Sequence, residues 1–236
     1  MKIAIVGYGR MGQAVERAAK NAGHQISGIG NRSWKVSALG QCDVAIEFSE
    51  PNAAWSNVRS LLEAGIPTVC GTTGWEKYLT EARALCGEVG GAFLYASNFS
   101  KGVQIFFALN RVLAQWMAKY SEYIPTIQET HHIHKKDAPS GTAVRLAGDI
   151  LNERADLSHW SLTDNAKSAL KVTAHRSGEV PGTHEVRYTC GTDDISIEHI
   201  SKGREAFAQG AVDAAEWLQG KRGCFGMEDV LDLHSL

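Results

Sequence analysis

Two adjoining stretches at the start of the chain decide the fold, Lys2-Ile-Ala-Ile-Val6 and Gly7-Tyr8-Gly9-Arg10-Met11-Gly12. The first is a short apolar run, which is typical of a strand buried in a parallel sheet. The second has Gly-x-Gly-x-x-Gly spacing, and apolar residues at Met11, Val15 and Ala18 predict a helix after it. Together they predict a Rossmann-type site, in which the glycine turn and the helix N-terminus bind the pyrophosphate of a dinucleotide. The alternative is an ordinary glycine-rich connection between a strand and a helix.

The next predicted strand, Gln25 to Ile29, ends at Gly30-Asn31-Arg32, where a dinucleotide-binding sheet meets the adenosine ribose. A site selective for NADH normally has an Asp or Glu there, which binds the ribose hydroxyls. Asn31 carries no charge, and the Arg32 guanidinium suits a 2′-phosphate, although a solvated loop arginine is the alternative. The sequence therefore predicts that NADPH is accepted at least as well as NADH.

Three more strands are expected in the same sheet, at 43–48, 67–70 and 92–96, with a helix after 49–54 and another over 76–88. The last two strands run into Gly71-Thr72-Thr73-Gly74 and Ser97-Asn98-Phe99-Ser100. Ligands of an open parallel sheet bind at the carboxyl ends of its strands, so both loops lie where a cofactor is expected. Ordinary strand-to-helix turns are the alternative.

A second distinctive stretch, Glu129 to Ala143, reads Glu-Thr-His-His-Ile-His-Lys-Lys-Asp-Ala-Pro-Ser-Gly-Thr-Ala. A Ser-Gly-Thr turn that opens a helix directs unpaired backbone N–H groups at an anion. One interpretation of the three histidines is a zinc site, but Lys135 and Lys136 would repel a divalent cation. A second is a solvated basic loop. A third is acid–base chemistry on a small anion, in which a histidine with an ordinary pKa of about 6.5 works beside a lysine. We favour the third and predict no metal.

The pattern Glu-x-His-His-x-x-Lys-x-Asp-Ala-Pro-Ser-Gly-Thr-Ala resembles the signature of the 4-hydroxy-tetrahydrodipicolinate reductase (dihydrodipicolinate reductase) family of lysine biosynthesis. Carried over position by position, the resemblance implies that His131 is the proton donor and acceptor and that Lys135 is the donor lysine. Arg204 matches a family arginine near the substrate, with a surface arginine at a helix start as the alternative. The implied substrate-binding residues are His132, Ser140, Gly141, Thr142 and Arg204.

The same resemblance implies an NADPH- or NADH-dependent reduction of the dehydrated cyclic imine of 4-hydroxy-tetrahydrodipicolinate to tetrahydrodipicolinate, on the diaminopimelate route to lysine. The glycine turn is one residue shorter here than is usual in the family, and Asn31 stands where the family often has an acidic residue. The implied cofactor-binding residues are Gly7, Tyr8, Gly9, Arg10, Met11, Gly12, Asn31, Arg32, Gly71, Thr72, Thr73, Ser97, Asn98 and Phe99.

The second half of the chain mixes helical and strand patterns. Apolar residues at helical spacing predict a long helix from 103 to 119 (Ile105, Leu109, Val112, Leu113 and Trp116). Strands are expected at 124–130, 171–175, 184–192 and 195–201, with a helix over 142–151, a loop over 155–170 and a last long helix over 204–218.

These elements predict an α/β fold in two domains. A Rossmann-type parallel-sheet dinucleotide-binding domain is expected from 1–100 and 204–236, with the tail at 228–233 packed back on it. An inserted α+β mixed-sheet domain, for substrate binding and oligomerisation, is expected at 101–203. An open mixed sheet often builds an oligomer, and the resembled family is tetrameric, so a homotetramer is expected.

Composition excludes several other classes of protein. The chain has 236 residues, 44% of them hydrophobic, which is enough for two domains with cores. The formal net charge of -2, without a basic stripe, argues against nucleic-acid and membrane-surface binding. Apolar runs are shorter than the ~20 residues that span a bilayer, and a first strand at Lys2 leaves no room for a signal peptide, so a cytoplasmic location is expected. Five cysteines without Cys-x-x-Cys spacing predict reduced thiols.

Two other functions fit the first domain equally well. Another nicotinamide-dependent dehydrogenase of an amino or keto diacid would share every Rossmann feature and differ only in the 129–143 stretch. A non-catalytic NAD(P)-sensing protein would need the glycine turn but not the histidine and lysine chemistry. The expected partner of the 129–143 stretch is a small dicarboxylate substrate.

Overall fold

The computed structural model describes residues 1–164 and 166–235 and divides them into two compact units. The first unit contains Met1–Lys101 and Arg204–Ser235, and the second contains Gly102–Gly203. In chain order the elements are β1 (Lys2–Val6), α1 (Arg10–Asn21), β2 (Gln25–Gly30), β3 (Val44–Glu47), α2 (Pro51–Glu63), β4 (Thr68–Cys70), α3 (Leu79–Glu88), β5 (Ala92–Tyr95), α4 (Lys101–Met117), β6 (Ile124–His131), α5 (Gly141–Glu153), β7 (His159–Ser161), β8 (Ala169–Arg176), β9 (Thr183–Thr189), β10 (Asp194–Ile200), α6 (Glu205–Leu218), β11 (Gly223–Phe225) and α7 (Met227–Val230).

The first unit is built on a six-stranded parallel sheet in the order β11-β5-β4-β3-β1-β2. The register places the last residues of neighbouring strands side by side. Val6 lies opposite both Gly30 and Glu47, and Glu47 also lies opposite Cys70. The loops that follow these strands therefore begin at one edge of the sheet, which is the edge where ligands of parallel sheets bind.

Both faces of this sheet are buried, as the apolar run in β1 predicts. Ile3 and Ile5 belong to a core cluster that includes residues of α1 and α6, whereas Ala4 and Val6 belong to a second cluster on the opposite face with Leu61 of α2. The tail after α6 also joins the first cluster, through Met227, Val230 and Leu231. The Rossmann-type sheet and the packing of the tail on this unit are thus confirmed.

The second unit contains a five-stranded mixed sheet in the order β10-β9-β6-β8-β7. Strand β6 pairs in parallel with β8 and antiparallel with β9, and β10 forms an antiparallel edge. Helices α4 and α5 contribute to the core of this unit, for example Phe106, Phe107 and Leu146, together with Val172 and Val186 of the sheet. The predicted mixed-sheet architecture is confirmed.

Helix α4 forms where it was predicted, but a different face of it is buried. The stripe that predicted the helix is largely exposed at Ile105, Leu109 and Trp116, and Trp116 is 66% exposed. The buried face contains Val103 and Phe107 instead. Helical spacing correctly indicated the helix, but this helix has apolar residues on two faces, and spacing alone does not say which face meets the core.

Three local features differ from the predictions. Strand β7 lies within the predicted loop at 155–170 and pairs with β8, and β11 extends the first sheet beside β5. Both are three-residue edge strands, too short for an alternating pattern, so partner strands rather than local sequence determine them. The predicted helix over 76–88 begins with a 3₁₀ turn at Glu76–Tyr78 before α3. Within the described residues, no helix is both long enough and apolar enough to cross a membrane.

Candidate active site

The glycine turn after β1 brings the backbone close to its neighbours at two positions. Gly7 has a φ of +88°, and a Cβ there would lie 2.1 Å from the carbonyl oxygen of Phe48. A Cβ at Gly12 would lie 2.1 Å from the carbonyl oxygen of Gly7. Any side chain at either position would push α1 or the loop after β3 away from the turn. Nothing lies within 4 Å of a Cβ built at Gly9, which leaves this part of the turn open to a ligand.

A cavity of about 560 Å³ opens beside this turn in the first unit. It is lined by predicted cofactor-binding residues from two loops, Gly7, Tyr8 and Gly9 after β1 and Asn31 and Arg32 after β2. A cavity of this size suits part of a dinucleotide, and the open glycine turn at one end suits its pyrophosphate. The residues present therefore fit a nicotinamide dinucleotide.

Several residues that line the same cavity were not predicted from the sequence. Trp34 follows Arg32, and its indole N–H donates to Oδ1 of Asn57 on α2 at 2.9 Å. Ser49 and Glu50 add the loop after β3 to the cavity wall. The strand ends predicted a site here, but only the packing of α2 against the loop after β2 shows that Asn57 reaches it.

The predicted cofactor-binding residues at the start of α1 and after β4 are not among the residues that line this cavity. Arg10 begins α1 and is exposed, and Met11 packs against the main core cluster of the first unit. After β4, the Thr72 side chain is buried and its hydroxyl donates to Glu47 at 2.7 Å, while Gly71 is half-buried and Thr73 is exposed.

The loop after β5 has one buried and two more accessible predicted residues. Phe99 is buried and contacts Phe48 edge-on, with 5.7 Å between the ring centroids. Ser97 is exposed, and the half-buried Asn98 accepts a hydrogen bond from the Ser100 N–H at 2.9 Å. Phe99 thus has a packing role, whereas Ser97 and Asn98 are accessible to a ligand.

In the second unit, strand β6 carries two titratable residues on its buried face. Its side chains alternate between exposed or half-buried and buried, so that Glu129 and His131 both point inward. Glu129 is fully buried and His131 is 7% exposed. His132 follows the end of the strand and is half-buried. The two adjacent histidines therefore have different surroundings.

The buried Glu129 carboxylate accepts hydrogen bonds from several groups. The Ser140 N–H donates to both of its oxygens at 3.1 Å, and Arg176 Nη2 donates to Oε1 at 3.2 Å. Burial would raise the pKa of Glu129, but hydrogen bonds from His184 and Ser140 outweigh burial and lower that pKa to about 2. Glu129 is therefore ionised at neutral pH.

His131 lies between this carboxylate and a second buried imidazole. Its Nδ1 is 3.4 Å from Oε2 of Glu129, and its ring meets His184 edge-on with the centroids 5.0 Å apart. The pKa of His131 is lowered to about 4, mainly by burial and also by the nearby His184, Lys135 and Arg176, against the attraction of Glu129. His131 is therefore neutral in the free protein at neutral pH, with the Glu129 carboxylate beside it and the cations Lys135 and Arg176 nearby.

Lys135 lies in the loop after β6, in an ion pair. Its ammonium nitrogen is 2.9 Å from Oδ1 and 2.8 Å from Oδ2 of Asp137, and this contact lowers the pKa of Asp137. Arg176 of β8 braces the loop, because its guanidinium donates to the carbonyl oxygens of Lys135 at 3.3 Å and Asp137 at 2.5 Å. The Lys135 side chain is 21% exposed, so a ligand can reach it.

The predicted Ser-Gly-Thr turn opens α5, but its three residues differ in their exposure to solvent. Ser140 is buried: its hydroxyl oxygen caps the helix by accepting from the Ala143 N–H at 3.2 Å and lies 2.9 Å from Nε2 of His184. Gly141 is exposed and Thr142 is half-buried, so their backbone and hydroxyl groups are the accessible ones. Ser140 thus ties the N-terminus of α5 to Glu129 and His184.

Glu129, His131 and His184 form a cluster that sequence analysis did not foresee. One donor atom from each lies within 4.8 Å of the others, which is close enough to surround a metal ion. However, Ser140 and Arg176 already donate hydrogen bonds to the Glu129 oxygens, and Lys135 and Arg176 add positive charge beside His131. This arrangement suits an anion better than a cation.

Only part of this cluster could have been predicted from the sequence. The period-two alternation of β6 could have shown that Glu129 points to the same side as His131. His184, however, lies on a strand 53 residues further along the chain, and it approaches His131 only because β6 pairs with β9.

Arg204 belongs to the first unit rather than to the unit that contains His131. It immediately precedes α6, and its carbonyl oxygen accepts from the N–H groups of Phe207 and Ala208, both at 3.1 Å. Its side chain is exposed. These observations define Arg204 as a helix-start residue whose guanidinium is accessible.

Comparison with protein families gives a match over nearly the whole chain. The family model described as "Dihydrodipicolinate reductase, N-terminus" matches residues 1–99. The model described as "Dihydrodipicolinate reductase, C-terminus" matches residues 102–231. The boundary between the two models lies where the first unit gives way to the second, near Lys101, and the second model continues past Gly203 into the part of the first unit that begins at Arg204.

Individual relatives agree with the family models. A 4-hydroxy-tetrahydrodipicolinate reductase of Christiangramia forsetii is 44% identical over 236 residues, covering 98% of this chain and 98% of the relative. One of Natronomonas pharaonis is 34% identical, covering 98% of this chain and all (100%) of the relative. The solved structure of a dipicolinate-bound dihydrodipicolinate reductase from Paenisporosarcina has a TM-score of 0.76 at 19% identity, over 97% of this chain and 98% of that chain. At that identity the structural likeness concerns the fold alone.

Proposed function

Because the chain belongs to the dihydrodipicolinate reductase family, and so reduces 4-hydroxy-tetrahydrodipicolinate in lysine biosynthesis with NADH or NADPH, we propose that His131 and Lys135 carry its proton chemistry. One observation supports this assignment above all. His131 is a buried, neutral imidazole held beside a buried carboxylate, and the cations Lys135 and Arg176 lie near it. That combination suits a group that exchanges a proton with an anionic substrate.

The reaction adds one hydride and one proton to the dehydrated cyclic imine, and a nicotinamide dinucleotide, when bound, would supply the hydride. As the hydride adds to a ring carbon, the conjugated electron pair shifts towards the ring nitrogen. There the Lys135 ammonium group stabilises the developing negative charge and donates a proton to the nitrogen. The bound anionic substrate raises the pKa of His131, so that the imidazole takes up a proton from solvent and then gives that proton to the carbon beside the new C–H bond. The C=N bond forms again and Lys135 regains its proton, so that the product is tetrahydrodipicolinate.

The remaining predicted residues hold the substrate carboxylates. The first N–H groups of α5, at Gly141 and Thr142, and the Thr142 hydroxyl suit one carboxylate, since a helix N-terminus favours negative charge. His132, next to His131 and half-buried, and Arg204 are the further substrate-binding candidates. Ser140 acts indirectly by fixing the start of α5 through its hydrogen bonds to Glu129 and His184.

A coupled assay tests this function directly. The aldol product that precedes 4-hydroxy-tetrahydrodipicolinate would be generated in the cuvette, and oxidation of NADPH or NADH would be followed by absorbance. Turnover with this substrate, and little with open-chain amino or keto diacids, is the expected result. A similar rate with those diacids would contradict the assignment of the 129–143 stretch to the cyclic imine.

In the proposed cofactor pocket, the two residues that follow β2 favour NADPH, and the carboxylate in the cavity wall, Glu50, belongs to the loop after β3. Arg32 and Asn31 line the cavity of the first unit, and no carboxylate lies at these two positions to repel a 2′-phosphate. We expect kcat/KM with NADPH to equal or exceed that with NADH. Replacing Arg32 with Ala should raise the KM for NADPH by about tenfold, because a charge-assisted hydrogen bond contributes about 1–3 kcal/mol, and should change the KM for NADH little.

The matched control for this prediction is Lys35→Ala, which removes a positive charge from the same loop outside the residues that line the cavity. It should leave both KM values near those of the wild type. Values of kcat/KM that favour NADH more than tenfold, or an equal loss with both dinucleotides in Arg32→Ala, would contradict the proposed role of Arg32.

The protein is also proposed to be a homotetramer assembled through the second unit. Strand β10 is an edge strand with exposed apolar side chains at Ile195 and Ile200, and Leu109 and Trp116 of α4 are exposed in the same unit. An edge strand with apolar neighbours favours pairing with another copy. Analytical ultracentrifugation should give four times the mass of the chain, and Trp116→Glu should shift it to smaller species. A monomer at micromolar concentration would contradict this proposal.

A further inference from the structure

A second buried glutamate, Glu47, lies at the end of β3 and takes no part in the chemistry above. It is fully buried, and its carboxylate is the acceptor of hydrogen bonds from several neutral side chains. Oε1 accepts from the Ser49 hydroxyl and from Asn57 Nδ2 at 3.2 Å. Oε2 accepts from the Thr72 hydroxyl at 2.7 Å and from the Cys70 thiol at 3.1 Å. Burying a carboxylate costs free energy, which these donors offset, and a buried network with its hydrogen bonds made holds its members in fixed positions.

These bonds extend in two directions from Glu47. On one side, Asn57 accepts a hydrogen bond from the indole N–H of Trp34 at 2.9 Å, and Trp34 lies two residues after Arg32 in the loop after β2. On the other side, the Thr72 hydroxyl accepts from the Ser49 N–H at 2.7 Å while it donates to Glu47. Glu47 therefore lies at the centre of one network that joins the loops after β2, β3 and β4.

The backbone N–H of Ser49 sets the direction of these hydrogen bonds. It can only donate, so the Thr72 hydroxyl accepts from it and donates its own hydrogen to Glu47. Burial and the charge of Glu47 raise the pKa of the Cys70 thiol well above its usual range, so that this thiol also remains a donor. A glutamine at position 47 would replace one of the two carboxylate oxygens with an NH₂ group, which faces donors and cannot accept their hydrogen bonds.

We propose that Glu47 is a positioning residue for dinucleotide binding, which fixes the loop containing Arg32 and the loop containing Thr72 in their ligand-binding conformations. This inference rests on the proposed assignment of the cavity to the dinucleotide. It goes beyond that assignment because Glu47 is absent from the cavity lining and acts only through Asn57, Ser49 and Thr72.

The test compares dissociation constants for NADPH, measured by fluorescence titration, among four variants. Glu47→Gln keeps the shape of the side chain, and Thr72→Val removes one hydroxyl from the network. Both should raise the dissociation constant by about tenfold, as expected for lost hydrogen bonds to a buried charge. Thr72→Ser keeps the hydroxyl and should restore binding to within about twofold of the wild type. Thr68→Val is the matched control, because Thr68 is a buried threonine on β4 whose hydroxyl donates to the Ile66 carbonyl instead.

Steady-state kinetics distinguishes a positioning role in NADPH binding from a general loss of structure. In Glu47→Gln and Thr72→Val the KM for NADPH should rise about tenfold, whereas the KM for the substrate and kcat at saturating NADPH should stay within about twofold. Equal losses in Thr68→Val, or an unchanged affinity for NADPH in both network variants, would overturn the proposal. If the wild-type protein itself fails to bind either dinucleotide, the assignment of the cavity fails instead, and the two failures are thereby distinguished.

A fragment of the cofactor tests the adenosine side of the network. The probe is 2′-phospho-ADP-ribose, which lacks the nicotinamide. Trp34→Phe removes the indole N–H but keeps an aromatic ring, and both this variant and Glu47→Gln should bind the fragment severalfold more weakly than the wild type. Unchanged affinity for the fragment in both variants would overturn the claim that Glu47 positions the loop containing Arg32.

Discussion

Replacing His131 with Gln should lower kcat by about 10²-fold or more, with little change in the KM for the substrate. Glutamine keeps roughly the size of the imidazole and some capacity for hydrogen bonding, but it cannot deliver a proton. In the proposed mechanism the start of α5 and Lys135 bind the substrate, and this substitution changes neither of them. Binding of NADPH should also be unchanged, because the dinucleotide cavity belongs to the other unit.

The pH dependence gives a second readout of the same variant. Burial lowers the pKa of His131 to about 4, so above that pH the protonated form of the free protein becomes about tenfold scarcer with each pH unit. If protonated His131 is the donor, kcat/KM should fall as the pH rises from about 5 to 8. The negative substrate should raise the pKa of His131 in the complex, so kcat should fall only at higher pH.

His134→Gln is the matched control, because it makes the same replacement three residues away at an imidazole that is 71% exposed. It should retain wild-type kcat and the wild-type pH profile. In His131→Gln, neither kcat/KM nor kcat should show the decrease with rising pH that is expected of the wild type. A near-normal kcat in His131→Gln, or an unchanged pH dependence of its kcat/KM, would rule out His131 as the proton donor.

The sequence predicted the architecture well because the decisive patterns are local. The strand and glycine turn at 2–12 specify a βαβ unit, and the comparisons confirm both the family and the reaction that the 129–143 stretch indicated. The two alternative functions, a different diacid dehydrogenase and a non-catalytic sensor, lose their support with that match. Strand ends could also be located, since a parallel sheet places its loops at one edge.

Features that depend on distant pairing could not be predicted in the same way. Only the register of β6 against β9 brings His184 to His131, and only the packing of α2 brings Asn57 to Trp34. Strand β11 is three residues long and is defined by its partner β5. The buried face of α4 likewise depends on the sheet beneath it, because both of its faces carry apolar residues. Local sequence shows which side chains can react, whereas tertiary contacts decide which of them meet.

Replacing Lys135 with Met should impair both kcat and the KM for the substrate, with kcat/KM lower by about 10²–10³-fold. In the proposed mechanism the lysine holds positive charge where the dianionic substrate binds and where negative charge develops on the ring nitrogen. Methionine fills a similar volume without that charge. The structure adds a second cause of the loss, because Lys135 is the ion-pair partner of Asp137 and lowers its pKa. Without Lys135 the pKa of Asp137 should rise towards the ordinary aspartate value of about 3.9, so Asp137 stays ionised at neutral pH and would repel the substrate.

Three companion variants separate these causes. Lys136→Met removes the same charge from the neighbouring, exposed position and should keep kcat/KM within a few fold of the wild type. Adding Asp137→Asn to Lys135→Met removes the unpaired carboxylate, so this double variant should recover part of the loss in KM but little of the loss in kcat. Lys135→Arg keeps the charge but is a weaker proton donor, because its pKa is far higher, and should bind substrate well while turning over slowly. Equal effects of Lys135→Met and Lys136→Met would show that overall charge, rather than the placement of Lys135, governs the reaction.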